Sequence, residues 1–183
     1  MKRFSLPLVG LFILFWGMAV SVSPRLGVTA DELVHLVGGY SYWKFDDYRL
    51  QPENGTLAMR VEAVPLLPMG LRFPPFDSAD WKGASATGTG HEFLFGLGNP
   101  VDAMLLRARM AVALFGVLAL WLIWRWARGL FGGKAGWLAV ILAAFCPALL
   151  AHSGLATSDI ALTACLLAAI SLCWQLLHRA TWL

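Results

Sequence analysis

Four long apolar stretches limit what this chain can fold into: residues 6–22, 110–126, 136–155 and 160–177. Each runs 17 to 20 residues, long enough to cross a hydrocarbon core of about 30 Å as a helix. Arg125 is the only formal charge inside them. It lies one residue from an end, where a long side chain can snorkel to the interface. Soluble domains carry about 45–50% apolar and about 25% charged residues. This chain has 58% hydrophobic against 14% charged residues. The stretches do not alternate apolar with polar residues, so barrel strands are not indicated. The expected fold class is an all-α integral membrane protein with about four transmembrane helices.

The charges are segregated. Ten of the eleven acidic residues lie between 24 and 106, with six basic ones, a formal charge of −4. The remainder carries +7, so the isoelectric point near 9.0 describes basic ends and no basic domain. A nucleic-acid partner therefore has no footing. Lys2 and Arg3 precede the first stretch. Arg125, Arg128 and Lys134 surround the link between the second and third, and Arg179 follows the fourth. The positive-inside rule puts these in the cytoplasm and exports residues 24–106, together with the turn at 152–159. The expected location is the plasma (inner) membrane, crossed several times, with both termini cytoplasmic and 24–106 periplasmic or extracellular. The expected division is a first transmembrane helix over 1–23, an exported acidic segment over 24–107 and three further helices over 108–183. The first stretch also resembles a secretory signal peptide, but 17 residues is long for one, and an uncleaved anchor is expected. Cys146, Cys165 and Cys173 all fall in the apolar stretches. They read as small packing residues.

Within the exported segment, Thr29-Ala30-Asp31-Glu32 fits a capping box. The helix that follows, about 30–45, puts Asp31 and His35 on one face. Its aromatic end, Tyr40, Tyr42, Trp43 and Phe45, suits a helix resting on the membrane interface. A second amphipathic helix is expected over 56–67. From 73 to 98 the chain has no clear period and reads as a surface loop. Asn54-Gly55-Thr56 is formally a glycosylation sequon, with no expectation that it is used.

The order of these features resembles the GT-C membrane glycosyltransferases, in particular family 39, which includes dolichyl-phosphate-mannose protein mannosyltransferases and lipid A aminoarabinose transferases. The resemblance rests on Asp31-Glu32-Leu33-Val34-His35, Gly39-Tyr40-Ser41-Tyr42-Trp43, Asp47-Tyr48-Arg49-Leu50, Pro52-Glu53-Asn54 and Ala63-Val64-Pro65-Leu66-Leu67. It continues through Arg107-Ala108-Arg109, Leu130-Phe131-Gly132, the run from Pro147 to His152 and Ala156-Thr157-Ser158-Asp159. Two features depart from it. Gly55-Thr56-Leu57 stands where such enzymes carry Pro-Pro-Leu, and they usually have many more membrane helices. The resemblance thus implies the amino-terminal part of a transferase, as a fragment, a truncated gene product or one piece of a split enzyme, inactive alone.

The activity implied is transfer of a sugar from a polyprenyl-phosphate donor to a protein or lipid acceptor on the exported side. Asp31 suits the base that takes the acceptor proton, because the first turn of a helix favours an ionised carboxylate. The bland alternative is a helix-start stabiliser. The resemblance makes Asp159 an active-site carboxylate, with a plain N-cap as its alternative; Glu32 is a capping-box partner by default and a further catalytic candidate. Arg107 and Arg109 suit a phosphate, because the guanidinium fork bonds two oxygens, or else they meet lipid headgroups. His35 and Tyr40 complete the expected substrate-binding set. No cofactor is expected and no metal-ligand spacing is evident, although Asp31 with Glu32 would suit Mg or Mn. Expected partners are the lipid-linked donor, membrane lipid, the acceptor and the remaining part of a split transferase. The competing function is a non-catalytic membrane subunit or remnant that stabilises or targets a partner. A transporter is disfavoured because no stretch has an ionisable residue at mid-depth.

Overall fold

The computed structural model describes residues 6–179, with the last residue as backbone alone. Lys2, Arg3 and the side chain of Arg179, used above for orientation, lie outside the described residues. In chain order the helices are α1 (Leu6–Ser21), a 3-10 turn (Ser23–Arg25), α2 (Ala30–Phe45) and α3 (Thr56–Ala63), which runs into a 3-10 turn (Val64–Met69). Then come α4 (Ala79–Lys82), α5 (Ala86–His91) with a π turn (Glu92–Gly96), α6 (Val101–Phe131), α7 (Gly133–Ala144), α8 (Pro147–Ser153) and α9 (Asp159–Arg179). The described residues contain no strand. The protein is an all-α integral membrane protein.

Leu6–Arg25, Val101–Phe131 and Asp159–His178 are each long and apolar enough to cross a membrane. The third expected span is not one continuous helix. It is α7 and α8, bent by 61°, because Pro147 cannot sit inside a helix without losing a backbone bond and clashing with the preceding turn. The proline instead opens α8 at the first helical position, after the N-cap Cys146, where a missing N–H costs nothing. Contacts at the two ends show that the bent pair runs the length of the bundle. Gly136 lies against Arg128 and the Trp124 carbonyl near the end of α6, whereas Ser153 reaches Gly116 and Gly154 reaches the Ala19 carbonyl. Beyond α8, the Ala156 amide donates to Glu32 at 2.9 Å. It is therefore a broken span and not a hairpin returning to its own side. The starts of α6 and α9 and the ends of α1 and α8 share one end of the bundle.

α6 starts nine residues before the apolar stretch and is 31 residues long, about 46 Å at about 1.5 Å per residue. It outruns the hydrocarbon core, and its first turns receive the polar segment. There Met104, Leu105 and Ala108 join Leu36, Val37, Leu66, Trp81, Phe93 and Leu94 in one buried cluster. A separate cluster of Leu8, Phe15, Leu120, Val140 and Ala144 packs the spans.

The polar segment differs from expectation in two ways. The 73–98 stretch is no open loop: Trp81, Phe93 and Leu94 are buried. They pack with Phe73 against Tyr40, which is 5.2 Å from Phe93 between ring centroids. Isolated aromatics buried from short, separate turns leave no period to read. The aromatic end of α2 is likewise turned inward. Tyr40 and Tyr42 are buried, and only Trp43 and Phe45 stay exposed. α3 packs on α2 at Gly39, where a Cβ would fall 2.2 Å from the Met59 carbonyl oxygen.

Candidate functional site

The capping box forms as the spacing dictates, with the Glu32 amide bonded to Thr29 Oγ1 and the Thr29 amide to Glu32 Oε2. The carboxylate does much more than cap. Glu32 is fully buried, and Arg109 donates to it twice, Nε to Oε1 at 2.6 Å and Nη2 to Oε2 at 2.7 Å. Arg109 Nη1 donates to the carbonyls of Ser23 and Leu26, and Nη2 also to that of Gly27. All five N–H groups of the guanidinium are thereby used inside the protein, in a side chain with no exposure. Burial pushes the Glu32 carboxyl up. Arg109 and the amides of Ala156 and Thr29 outweigh that and hold it below its ordinary value.

This arrangement redistributes the expected site residues. Arg109 has no donor left for a phosphate, and Glu32 has no oxygen left for a proton or a cation. They tie together the link after α1, the start of α2, the start of α6 and the link before α9. Arg107, two residues away, is exposed. Tyr40 is a core residue, 3% exposed within the aromatic cluster, and lines no open face. Among the described residues no group of three or more His, Cys, Asp or Glu side chains could hold a metal ion.

Asp31 turns the other way from Glu32 and is exposed in the first turn of α2. Asp159 opens α9 and is 56% exposed. Its Oδ2 accepts from the Thr157 hydroxyl at 2.9 Å and lies 3.2 Å from His152 Nδ1. Both carboxylates are near enough to His35 for their charges to favour its protonated form. The Glu32–Ala156 bond explains how: it fixes the link before α9 against the start of α2. Asp31, His35, Asp159 and His152, from two distant segments, thus gather at one end of the spans. A cavity of about 260 Å³ lies at the opposite end, lined by Arg125, Trp126, Trp174 and His178 among others, away from this chemistry.

Sequence reasoning missed Glu62. It is buried on α3 beside Ala58, Met59 and Ala63, with Oε1 3.5 Å from His35 Nδ1. A carboxylate four residues after Ala58 on the inward face of an amphipathic helix was the available signal. Thr157, the hydroxyl that holds Asp159, had no signal of its own.

Membrane-spanning helices with an acidic cluster gathered at one end define a multi-pass membrane protein with a polar site at its surface. Residues 93–183 match the family described as dolichyl-phosphate-mannose-protein mannosyltransferase, so the second part of the chain is similar to GT-C membrane glycosyltransferases. No curated protein and no solved structure matches the chain significantly. The matched stretch contains Arg107, Arg109, His152 and Asp159; Asp31, Glu32 and His35 precede it.

Proposed function

We propose that this chain is part of a transferase and supplies the Asp31–Asp159 face, on the exported side of the membrane, at which a sugar passes from a polyprenyl-phosphate donor to a protein or lipid acceptor. The observation that carries the reading is the Ala156–Glu32 bond of 2.9 Å, which sets the segment before Asp159 against the start of α2 that bears Asp31, at the end of a bundle whose second half matches a glycosyltransferase family. Asp31 is the base. It is exposed in the first turn of α2, where its carboxylate can accept the acceptor proton. Asp159, held by Thr157 and His152, positions the acceptor. Arg107 is left to meet the donor phosphate, since Arg109 is committed to Glu32. The reading needs no metal, because the Asp31–Glu32 pair offers a cation only one free carboxylate. The orientation rests on Arg125, Arg128 and Lys134 at the far end.

The test is Asp31→Asn at the native locus, with transfer of labelled sugar from the membrane's own lipid-linked pool to acceptor as the readout. General-base assistance contributes about 10²–10⁴ in rate, so transfer should fall by that factor with protein level unchanged. Transfer at the unmodified rate would overturn the base assignment.

A further inference from the structure

Behind the exposed carboxylates lies a buried pair that the function proposed above does not use. The Glu62 side chain is wholly enclosed and that of His35 is 6% exposed. Their 3.5 Å approach is at the outer edge of hydrogen-bonding distance. His35 Nδ1 and both Glu62 oxygens have no hydrogen-bond partner, so the two side chains meet as an ion pair alone. A carboxylate enclosed in this way is costly unless paired or protonated, and an apolar side chain would fill the same place without that cost. What the carboxylate adds is a fixed acceptor on one side of the ring. An imidazole has its second nitrogen on the other side.

The charged groups around the ring come from three helices: Asp31 of α2, Glu62 of α3 and Asp159 of α9. Glu32 acts on Glu62 from behind, with Arg109 bound to it. Burial pulls His35 down, but the approach of Glu62 and the three carboxylate charges outweigh it and hold the ring above the usual histidine range. Burial pushes Glu62 up against the pull of His35.

We propose that Glu62 is a positioning residue for His35, anchoring the ring through Nδ1 so that Nε2–H is offered to the phosphate of the lipid-linked sugar at the Asp31–Asp159 face. This rests on the transferase reading and deepens it by supplying the cation that Arg109 cannot. As the acceptor oxygen attacks the anomeric carbon, the bond from that carbon to the phosphate oxygen breaks and its electron pair stays on the phosphate. The acceptor proton passes to Asp31. The phosphodiester monoanion becomes a monoester dianion, and the Nε2–H bond to it strengthens as that charge grows.

The full-length protein in lipid nanodiscs, with nitrogen-labelled histidine, gives a direct readout by NMR. The chain has four histidines, and His35→Gln identifies the signal. His35 should titrate above about 6.5. Glu62→Gln should lower its midpoint by about one unit or more, and Glu62→Asp, which keeps the charge, should fall between. Farnesyl phosphate is the binding probe. Near neutral pH its affinity should drop about tenfold in both Glu62→Gln and His35→Gln, the scale of one charge-assisted hydrogen bond. At about pH 6, below the ordinary histidine value, Glu62→Gln should recover most of that loss and His35→Gln none. A merely structural role for Glu62 would give no such recovery. An unshifted His35 midpoint in Glu62→Gln, or equal affinities in all three proteins, would overturn the proposal alone. Failure of the unmodified protein to bind farnesyl phosphate while His35 still titrates high would overturn the lipid-phosphate reading beneath it.

Discussion

Arg109 shows how far a residue's chemistry depends on what surrounds it. An arginine two turns into a long helix suits a phosphate or a lipid headgroup equally well, and it serves neither. It is sealed against Glu32 and three backbone carbonyls. Removing one partner of a buried pair typically costs about 3–5 kcal/mol, because a lone charge is left behind. Arg109→Met should therefore lower unfolding stability in detergent by about that amount, and adding Glu32→Leu should restore part of it. Lost transfer with unchanged stability would instead point to direct contact with substrate. The pH dependence follows from Glu32. Its folded value lies below the ordinary 4.5, so its contribution is fully present above 4.5 and is lost as pH falls through the lowered value. Acid unfolding should begin below 4.5 in the unmodified protein and be blunted in the double variant.

At the scale of elements, the polar segment is held by close backbone approach as much as by apolar burial. Gly39 is the tightest point between α2 and α3, since any side chain there meets the Met59 carbonyl. Gly39→Ala should destabilise by about 1–3 kcal/mol, the usual cost of overpacking, and should loosen the Glu62–His35 approach. Gly17→Ala in α1 has open space around it and should be neutral or mildly stabilising, because alanine favours a helix. Denaturant unfolding of both variants checks the contrast; equal effects would mean that the α2–α3 contact is not a constraint. α2 itself was legible from the capping box and its spacing. The α7–α8 break was written in Pro147, but a proline inside an apolar run reads equally well as a kink that leaves the span whole.

For the whole molecule, the bundle has a polar end and a basic end. The spans place the starts of α2 and α9 together, and the orientation proposed above has that end outside the cytoplasm. A cysteine at Asp77, which is exposed in the polar segment, should react with a membrane-impermeant maleimide in intact cells. One at Lys134, exposed at the start of α7, should react only after lysis. The reverse pattern would invert the orientation and move the proposed transfer to the cytoplasmic face. The chain's own Cys165 and Cys173 are exposed on α9, on a span, so bilayer lipid should shield them in both conditions.

The amino-acid sequence alone determined the membrane spans, the segregation of charge and the start of α2, because length, apolarity and capping are local properties that survive without tertiary context. It also marked Asp31 and Asp159 as candidates on the same side of the membrane. Only the tertiary structure decided that Asp31 faces outward while Glu32, one residue on, is sealed against Arg109, 77 positions away. Only it could set Glu62 against His35 and bury the aromatics of 73–98. Those outcomes turn on which long-range partner satisfies a buried charge or fills a void. That competition is settled between helices that meet in the bundle, and no local pattern along the chain encodes it.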